Sequence, residues 1–241
     1  MRPAGKLTAV AVVLLAMCGA MCAQDSSNNQ SDEVKRVQNA AKVLNEIMAT
    51  PDKGIPQDVF ASAKCVAVVP SMIKGGFIVG GRYGRGVATC RTPRGWSAPA
   101  PFTIAGGSWG LQFGGEAVDL VMLVMNQQGM DNLLSSKFKL GAEGSVAAGP
   151  IGRQAEGSTD WKMKSQVLTY SRARGVFAGL ELNGAAIKQD NDETRVLYGK
   201  FVPFAAILSG KVPAPAGTEA FVAAVRKYAV EAKEQKAEKG E

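Results

Sequence analysis

Apolar residues near the start of the chain recur at the spacing of an α-helix. From Val34 to Met48 they lie mostly three or four positions apart, and Ser31-Asp32-Glu33 supplies polar residues suited to cap the N-terminus of that helix. Pro56 opens a shorter predicted helix that ends at Ala63. The pattern therefore predicts two helices before the first strand.

After these helices the apolar pattern changes to that of β-strands. Cys65–Val69 is a compact apolar run, and Pro70 is predicted to end it. Helical spacing returns over 126–139 and again from Thr218 to Ala232. Further short apolar segments, broken by glycine or proline, predict strands over 76–81, 86–91, 97–104, 109–114, 117–125, 166–171, 176–182 and 195–198.

Many short strands bounded by glycine, with helices around them, are typical of an α+β domain. We predict a curved antiparallel sheet or partial β-barrel with flanking N-terminal, middle and C-terminal helices. Many of the 28 glycines would then serve as bulges and bends of the sheet. The predicted single domain covers 31–232, and the charged segment 233–241 is predicted to be a disordered tail.

The beginning of the chain has the features of a secretory signal peptide, predicted over 1–23. Arg2 and Lys6 precede an apolar run that is too short for a comfortable transmembrane span, and a polar tether follows over 24–30. Cleavage could follow Cys22 or Ala23, and lipoprotein processing at a cysteine is the alternative. We therefore expect an exported protein, either periplasmic or a membrane-anchored lipoprotein.

The charge pattern favours an anionic partner. The chain has 28 Lys and Arg against 21 Asp and Glu, and the stretch from Val59 to Gly115 contains no acidic residue. Arginine binds phosphate oxygens in pairs, and phospholipid headgroups are the anions that an exported protein most readily meets. Export argues against nucleic acid as the partner. The candidate headgroup-binding residues are Lys74, Arg82, Arg85, Arg91 and Arg94, and the candidate membrane or partner contacts are Tyr83, Trp96 and Trp109.

Catalytic chemistry is poorly represented in the sequence. The chain has no histidine, which removes the commonest general base and most zinc sites. Gly106-Gly107-Ser108-Trp109-Gly110 has the letters of a nucleophile elbow, but that motif needs a histidine partner and a helix after the serine. No cofactor motif is present. We predict a non-enzyme without cofactor or metal, and keep a hydrolase using Ser108, Asp119 or Glu116 only as a distant alternative.

Two cysteines remain after the predicted signal peptide. Cys65 and Cys90 could form a disulfide in an oxidising compartment. Their spacing in the sequence does not show whether their Cα atoms come close enough. Two cysteines without a histidine make a poor metal site.

Six blocks of residues follow one another within the span from Ala40 to Gly199: Ala63–Pro70, Gly75–Gly86, Gly95–Pro101, Gly107–Gly115, 140–153 and 170–179. Together these blocks resemble the SYLF domain. The resemblance implies a lipid-binding module; eukaryotic members accompany Src-homology-3 domains, bind phosphoinositides, and some regulate actin. An exported protein has no actin to regulate, so we do not carry that role over.

Two functional hypotheses follow from the residues and the resemblance together. The first is an exported, non-enzymatic module that binds anionic, phosphoinositide-like phospholipid headgroups at a membrane surface. The alternative is a structural or protein-interaction module of the cell envelope, with another envelope protein in contact with Trp96 and Trp109. The helix Val34–Met48 has two interpretations, a helix packed on the core or an amphipathic helix lying on a membrane.

Overall fold

A computed structural model describes residues 32–50, 54–76, 79–109, 115–135, 137–141, 145–150, 165–173, 176–178 and 182–238. The predicted signal peptide 1–23 and tether 24–30 lie outside these residues. The helices are α1 (32–48), α2 (Gln57–Ser62), α3 (Gln127–Leu134), α4 (Asn191–Tyr198), α5 (Phe204–Leu208) and α6 (Glu219–Glu238). The strands are β1 (Cys65–Gly76), β2 (Val79–Thr92), β3 (Gly95–Trp96), β4 (Ala100–Trp109), β5 (Gly115–Val124), β6 (Lys137–Lys139), β7 (Val146–Ala148), β8 (Val167–Ala173), β9 (Val176–Ala178) and β10 (Ala186–Gln189).

The strands form one curled sheet, a half-barrel. Its main path runs β6-β10-β4-β2-β1-β5-β8-β7, with β3 attached to β2 and β9 attached to β8. Neighbouring strands are antiparallel except β7 and β8, which are parallel. The predicted α+β class with a curved sheet and flanking helices is confirmed.

Strand β1 lies at the centre of the sheet and is buried on both faces. Cys65, Ala67 and Val69 belong to the core inside the curl, which we call the inner core. Residues of α5 belong to the same core. Val66 and Val68 face a second core, beneath a layer formed by α1, α2 and α6. Burial on both sides explains why this strand reads as a continuous apolar run rather than an alternating one.

Helix α1 packs its apolar stripe against the second core. Val37, Leu44 and Ile47 are almost fully buried there. The C-terminal helix α6 contributes Phe221 and Val225 to the same core. It runs to Glu238, so the predicted charged tail after Ala232 begins within this helix.

Strand β1 does not end at Pro70, as its sequence predicts, but continues to Gly76. The register with both neighbouring strands shifts around Pro70 and Ser71, and Ser71 has a positive φ of 52°. The backbone N–H of Ser71 donates to Oδ1 of Asp119 at 3.0 Å. A bulge tolerates proline because its residues leave the hydrogen-bonded ladder, and the strand can resume after it.

Strand β2 is continuous where the sequence predicts two strands separated by glycines. Gly84 and Gly86 permit close packing rather than a break. A Cβ at Gly84 would lie 2.5 Å from Cγ1 of Val69, and one at Gly86 would lie 2.4 Å from the carbonyl oxygen of Val68. Glycine therefore lets the sheet curl tightly around its inner core.

Two further predictions of secondary structure are wrong. Residues 195–198, predicted as a strand, complete helix α4, which Asp190 caps by accepting from the Glu193 N–H at 3.0 Å. The predicted helix 126–139 ends at Leu134, and its last residues form β6. Phe138 enters the inner core from β6, so tertiary packing outweighs the helical spacing there.

Cys65 and Cys90 face each other directly across β1 and β2 and are joined by a disulfide with an S–S distance of 2.03 Å. Both are completely buried in the inner core. The bond links two central strands of the sheet.

None of the described helices is long and apolar enough to cross a membrane.

Candidate functional site

The five predicted headgroup-binding cations do not form one patch. Lys74 and Arg82 lie directly opposite each other on β1 and β2, near the end of the hairpin. Arg91 lies near the other end of β2, and the extended chain from Arg82 to Arg91 spans about 30 Å. Arg94 follows Arg91 in the turn to β3. The cations therefore occupy separate environments that must be considered one by one.

Lys74 and Arg82 form a pair of cations on the inner face of the hairpin. Lys74 also lies opposite Glu116 on β5. Burial lowers the pKa of Lys74, with Glu116 opposing the shift and Arg82 adding to it; burial likewise lowers the pKa of Arg82. Two like charges held together in a partly desolvated place are stabilised when an anion binds beside them.

The opposite face of the same hairpin is apolar and exposed. Ile73 is 60% exposed and Tyr83 is 47% exposed, and the two residues face each other across β1 and β2. The row continues to the exposed residues Ala105 on β4 and Ala117 on β5. We call Ile73, Tyr83, Lys74 and Arg82 the hairpin site. Large apolar side chains side by side in solvent are typical of an interaction surface.

Arg85 is exposed but paired within the protein. Its Nη1 lies 3.1 Å from Oε1 of Glu193, and its Nε lies 3.8 Å from Oδ2 of Asp190 and donates to the Tyr83 hydroxyl at 3.1 Å. The hydrogen bond from Arg85 to Tyr83 raises the pKa of Arg85, burial opposes this, and the nearby carboxylates add to the rise. Arg85 thus anchors helix α4 to the sheet and orients Tyr83.

Glu193 is a buried carboxyl group between two arginines. Besides Arg85, the Nε of Arg36 on α1 lies 3.3 Å from its Oε1. Neither carboxyl oxygen accepts a well-directed hydrogen bond from the described residues. Burial raises the pKa of Glu193 to about 8; Arg36 opposes the shift, while Glu33 and Asp190 add to it. Proximity of the guanidinium groups therefore does not fully offset the cost of burying this charge.

Arg91 supports the fold. Its guanidinium donates to the carbonyl oxygens of Ala61 and Ala63 at the end of α2, at 2.9 and 2.8 Å. The same group lies over the Trp96 ring, 4.5 Å from its centroid. Burial lowers the pKa of Arg91. Since its donors face α2 and its flat face contacts Trp96, Arg91 has an internal structural role.

The remaining predicted residues have different surroundings. Arg94 is exposed and donates from Nη2 to the carbonyl oxygen of Gly210 at 2.9 Å. Trp96 is partly buried beside Arg91. Trp109 ends β4, and its side chain, like that of Ser108, lies outside what the structure describes.

The acidic residues of the hydrolase alternative are part of the sheet. Asp119 accepts from the Ser71 N–H and pairs through Oδ2 with Nη2 of Arg172 at 2.7 Å. Glu116 is exposed beside Lys74. Among the described residues no group of three or more His, Cys, Asp or Glu could hold a metal ion.

Comparison with known proteins adds a family to this geometry. The family described as "Ysc84: Las17-binding protein actin regulator" matches residues 105–228. The rat protein "SH3 domain-containing YSC84-like protein 1" is 37% identical over 199 residues, which cover 80% of this chain and 57% of the relative. The human protein of the same name is 36% identical over the same shares.

A yeast relative is also similar to this chain, at a lower sequence identity. "LAS seventeen-binding protein 3" of Saccharomyces cerevisiae is 34% identical over 186 residues, covering 73% of this chain and 40% of the relative. The chain thus spans about half the length of the curated relatives that it matches. The region matched by the family model begins on β4 and ends on α6, so it includes much of the sheet described above. This chain belongs to the Ysc84/SYLF family.

Proposed function

We propose that this protein is a non-enzymatic module that binds anionic phospholipid surfaces through the hairpin site. One observation carries the proposal: the exposed pair Ile73–Tyr83 and the cationic pair Lys74–Arg82 occupy opposite faces of the same two strands. The resemblance to SYLF domains, whose eukaryotic members bind phosphoinositides, supports a phosphorylated headgroup as the anion.

The two faces would contribute in different ways. Apolar side chains such as Ile73 gain free energy by leaving water for the boundary between headgroups and acyl chains. Tyrosine is common at that boundary because its ring is apolar and its hydroxyl is polar. Each basic residue close to an anionic membrane adds about 1 kcal/mol to binding. A hairpin with both kinds of residue would bind at the surface without crossing the bilayer.

Co-sedimentation with vesicles tests this function. The full chain is mixed with vesicles of phosphatidylcholine alone and with vesicles that also contain a phosphoinositide, each at low and high salt. We expect binding to the anionic vesicles that weakens at high salt, because surface electrostatics are screened. Equal binding to both compositions, or none, would overturn the headgroup proposal.

We also propose that the protein is exported, since the predicted signal peptide 1–23 is followed by a polar tether. The mass of the N-terminal peptide from protein made in a secreting host tests this. A mature N-terminus near Cys22 or Ala23 is expected, with a lipid modification on cysteine if the protein is a lipoprotein. An intact Met1 terminus would contradict export.

A protein partner is the second candidate, favoured by the names of the relatives. The matching family is described as Las17-binding, and the yeast relative is named as a protein that binds LAS seventeen. An exposed apolar row such as Ile73–Tyr83 would also suit a protein surface. For an exported chain we propose an envelope protein as that partner. Binding to vesicles that ignores lipid charge, together with capture of such a partner, would favour this candidate.

A further inference from the structure

A groove lies far from the hairpin site, at the other end of β2. Its volume is about 410 Å³. It opens between the turn from β2 to β3, the loop that precedes α6, and the first turns of α6. Its principal lining residues are Arg94, Trp96, Val212, Pro213, Val222 and Arg226. A concave, largely apolar site of this size with a few polar groups is typical of small-molecule binding.

Two arginines give the groove its charge. Arg94 uses one nitrogen on Gly210, which fixes the side chain and leaves its other donors available. Arg226 is exposed and forms no ion pair with another residue that the structure describes. Glu219, in the first turn of α6, is an acidic residue of the same lining. The groove therefore has a net positive charge with one carboxylate nearby.

The apolar wall is held in place before any ligand binds. Trp96 packs against the guanidinium of Arg91, and Arg91 is itself fixed by two carbonyl oxygens at the end of α2. Val222 lies in the first turn of α6 and is mostly buried. A rigid wall lowers the entropy cost of binding.

We propose that this groove binds a small amphipathic anion, a single carboxylate on a short hydrocarbon chain. The carboxylate pairs with Arg94 and Arg226, and the hydrocarbon packs against Trp96 and Val222. A singly charged group fits better than a doubly charged phosphate. Glu219 offsets the charge of one of the two arginines, so the second charge of a phosphate would be repelled by Glu219 without a further cation to balance it. The groove shares no residue with the hairpin site. Binding of the anion in the groove is therefore independent of membrane binding through the hairpin site.

Calorimetric titration of the full chain with octanoate, octanol and inorganic phosphate tests the proposal. Octanoate is expected to bind, octanol and phosphate much more weakly. Arg226→Gln should weaken octanoate binding about tenfold or more, since a charge-assisted hydrogen bond is lost. Glu219→Gln should strengthen it. Lys200→Gln, which removes an exposed cation elsewhere, should leave it unchanged.

Tryptophan fluorescence gives a second measurement. The chain has three tryptophans, so an octanoate-dependent change in emission should disappear in Trp96→Phe if the hydrocarbon contacts that ring. Ile73→Ser should not affect it. Octanol binding as tight as octanoate, phosphate binding as tight as octanoate, or equal effects of Arg226→Gln and Lys200→Gln would overturn the proposal.

Discussion

Glu193 Oε1 lies 3.1 Å from Nη1 of Arg85, so an arginine that the sequence assigns to headgroup binding is paired inside the protein. The same carboxyl oxygen lies 3.3 Å from Nε of Arg36 on α1. This cluster connects α1, α4 and β2, three elements that are distant along the chain. It makes Arg85 a positioning residue for Tyr83 and α4 rather than a headgroup-binding residue.

Glu193 gives folding stability a distinctive pH dependence. The pKa of Glu193 rises from 4.5 to about 8 on folding because the carboxyl is buried, so the native state holds a proton that the unfolded chain releases. Stability from this group is therefore present below about pH 4.5 and is lost as pH rises toward 8. The slope approaches about 1.4 kcal/mol per pH unit for one proton.

Urea unfolding of Glu193→Gln across this range is the measurement. The variant should show a flatter dependence of unfolding free energy on pH between 5 and 8 than the wild-type protein. Asp192→Asn, which removes an exposed carboxylate from the same helix, should keep the wild-type slope. Identical slopes in wild type and Glu193→Gln would contradict the assigned pKa.

Arg91 should matter for stability and not for membrane binding. Replacing it by glutamine removes two hydrogen bonds to the carbonyls of Ala61 and Ala63 and the contact with Trp96, so we expect the free energy of unfolding to fall by about 1–3 kcal/mol. The urea midpoint reports this change. Arg195→Gln, an exposed arginine paired with Asp192 one turn away, should change stability by less than about 0.5 kcal/mol. A stable Arg91→Gln protein that no longer binds vesicles would reverse this assignment.

The disulfide should contribute substantially to stability. Cys65 and Cys90 are separated by 25 positions. Closing a loop of that length lowers the conformational entropy of the unfolded chain and so raises its free energy by about 3 kcal/mol. The double variant Cys65→Ala/Cys90→Ala should unfold at correspondingly lower urea. Mass spectrometry after alkylation, with and without reduction, checks the bond itself. Alkylation of both cysteines in unfolded, unreduced protein would show that the bond is absent.

The sequence predicts the α+β class and the central strands, but it does not predict that Ile73 of the hairpin site is exposed. Ile73 would face the inner core with Val69 if β1 were regular, because side chains alternate. The bulge at Ser71 shifts the alternation, so Met72 is buried inside and Ile73 is exposed beside Tyr83. Positive φ at a serine has no clear sequence signal, and a one-residue shift reverses every later side chain.

Long-range contacts explain why the predicted cations separate into different roles. Arg85 meets Glu193 and Arg91 meets the end of α2, contacts that no local pattern reveals. The pairing of Lys74 with Arg82 depends on the hairpin register, which the bulge also sets. By contrast, the caps of α4 were present in the sequence: Asp190 before it and Gly199, with a φ of 70°, after it.

Vesicle binding by variants of the hairpin site tests the two faces separately. Ile73→Ser/Tyr83→Ser should weaken binding to both neutral and anionic vesicles, because it removes apolar contact. The matched control Phe201→Ser/Val230→Ser changes two side chains of similar exposure elsewhere. An equal loss in both double variants would point to general surface hydrophobicity instead of this site.

The most direct test of the central claim is co-sedimentation of Lys74→Gln/Arg82→Gln with phosphoinositide-containing vesicles. Two cations worth about 1 kcal/mol each predict roughly a thirtyfold loss of binding, with little change on neutral vesicles. Lys200→Gln/Lys227→Gln, which alters two exposed lysines, is the control for net charge. If that control loses as much binding as the hairpin variant, or if the hairpin variant binds like wild type, the protein does not recognise headgroups through Lys74 and Arg82.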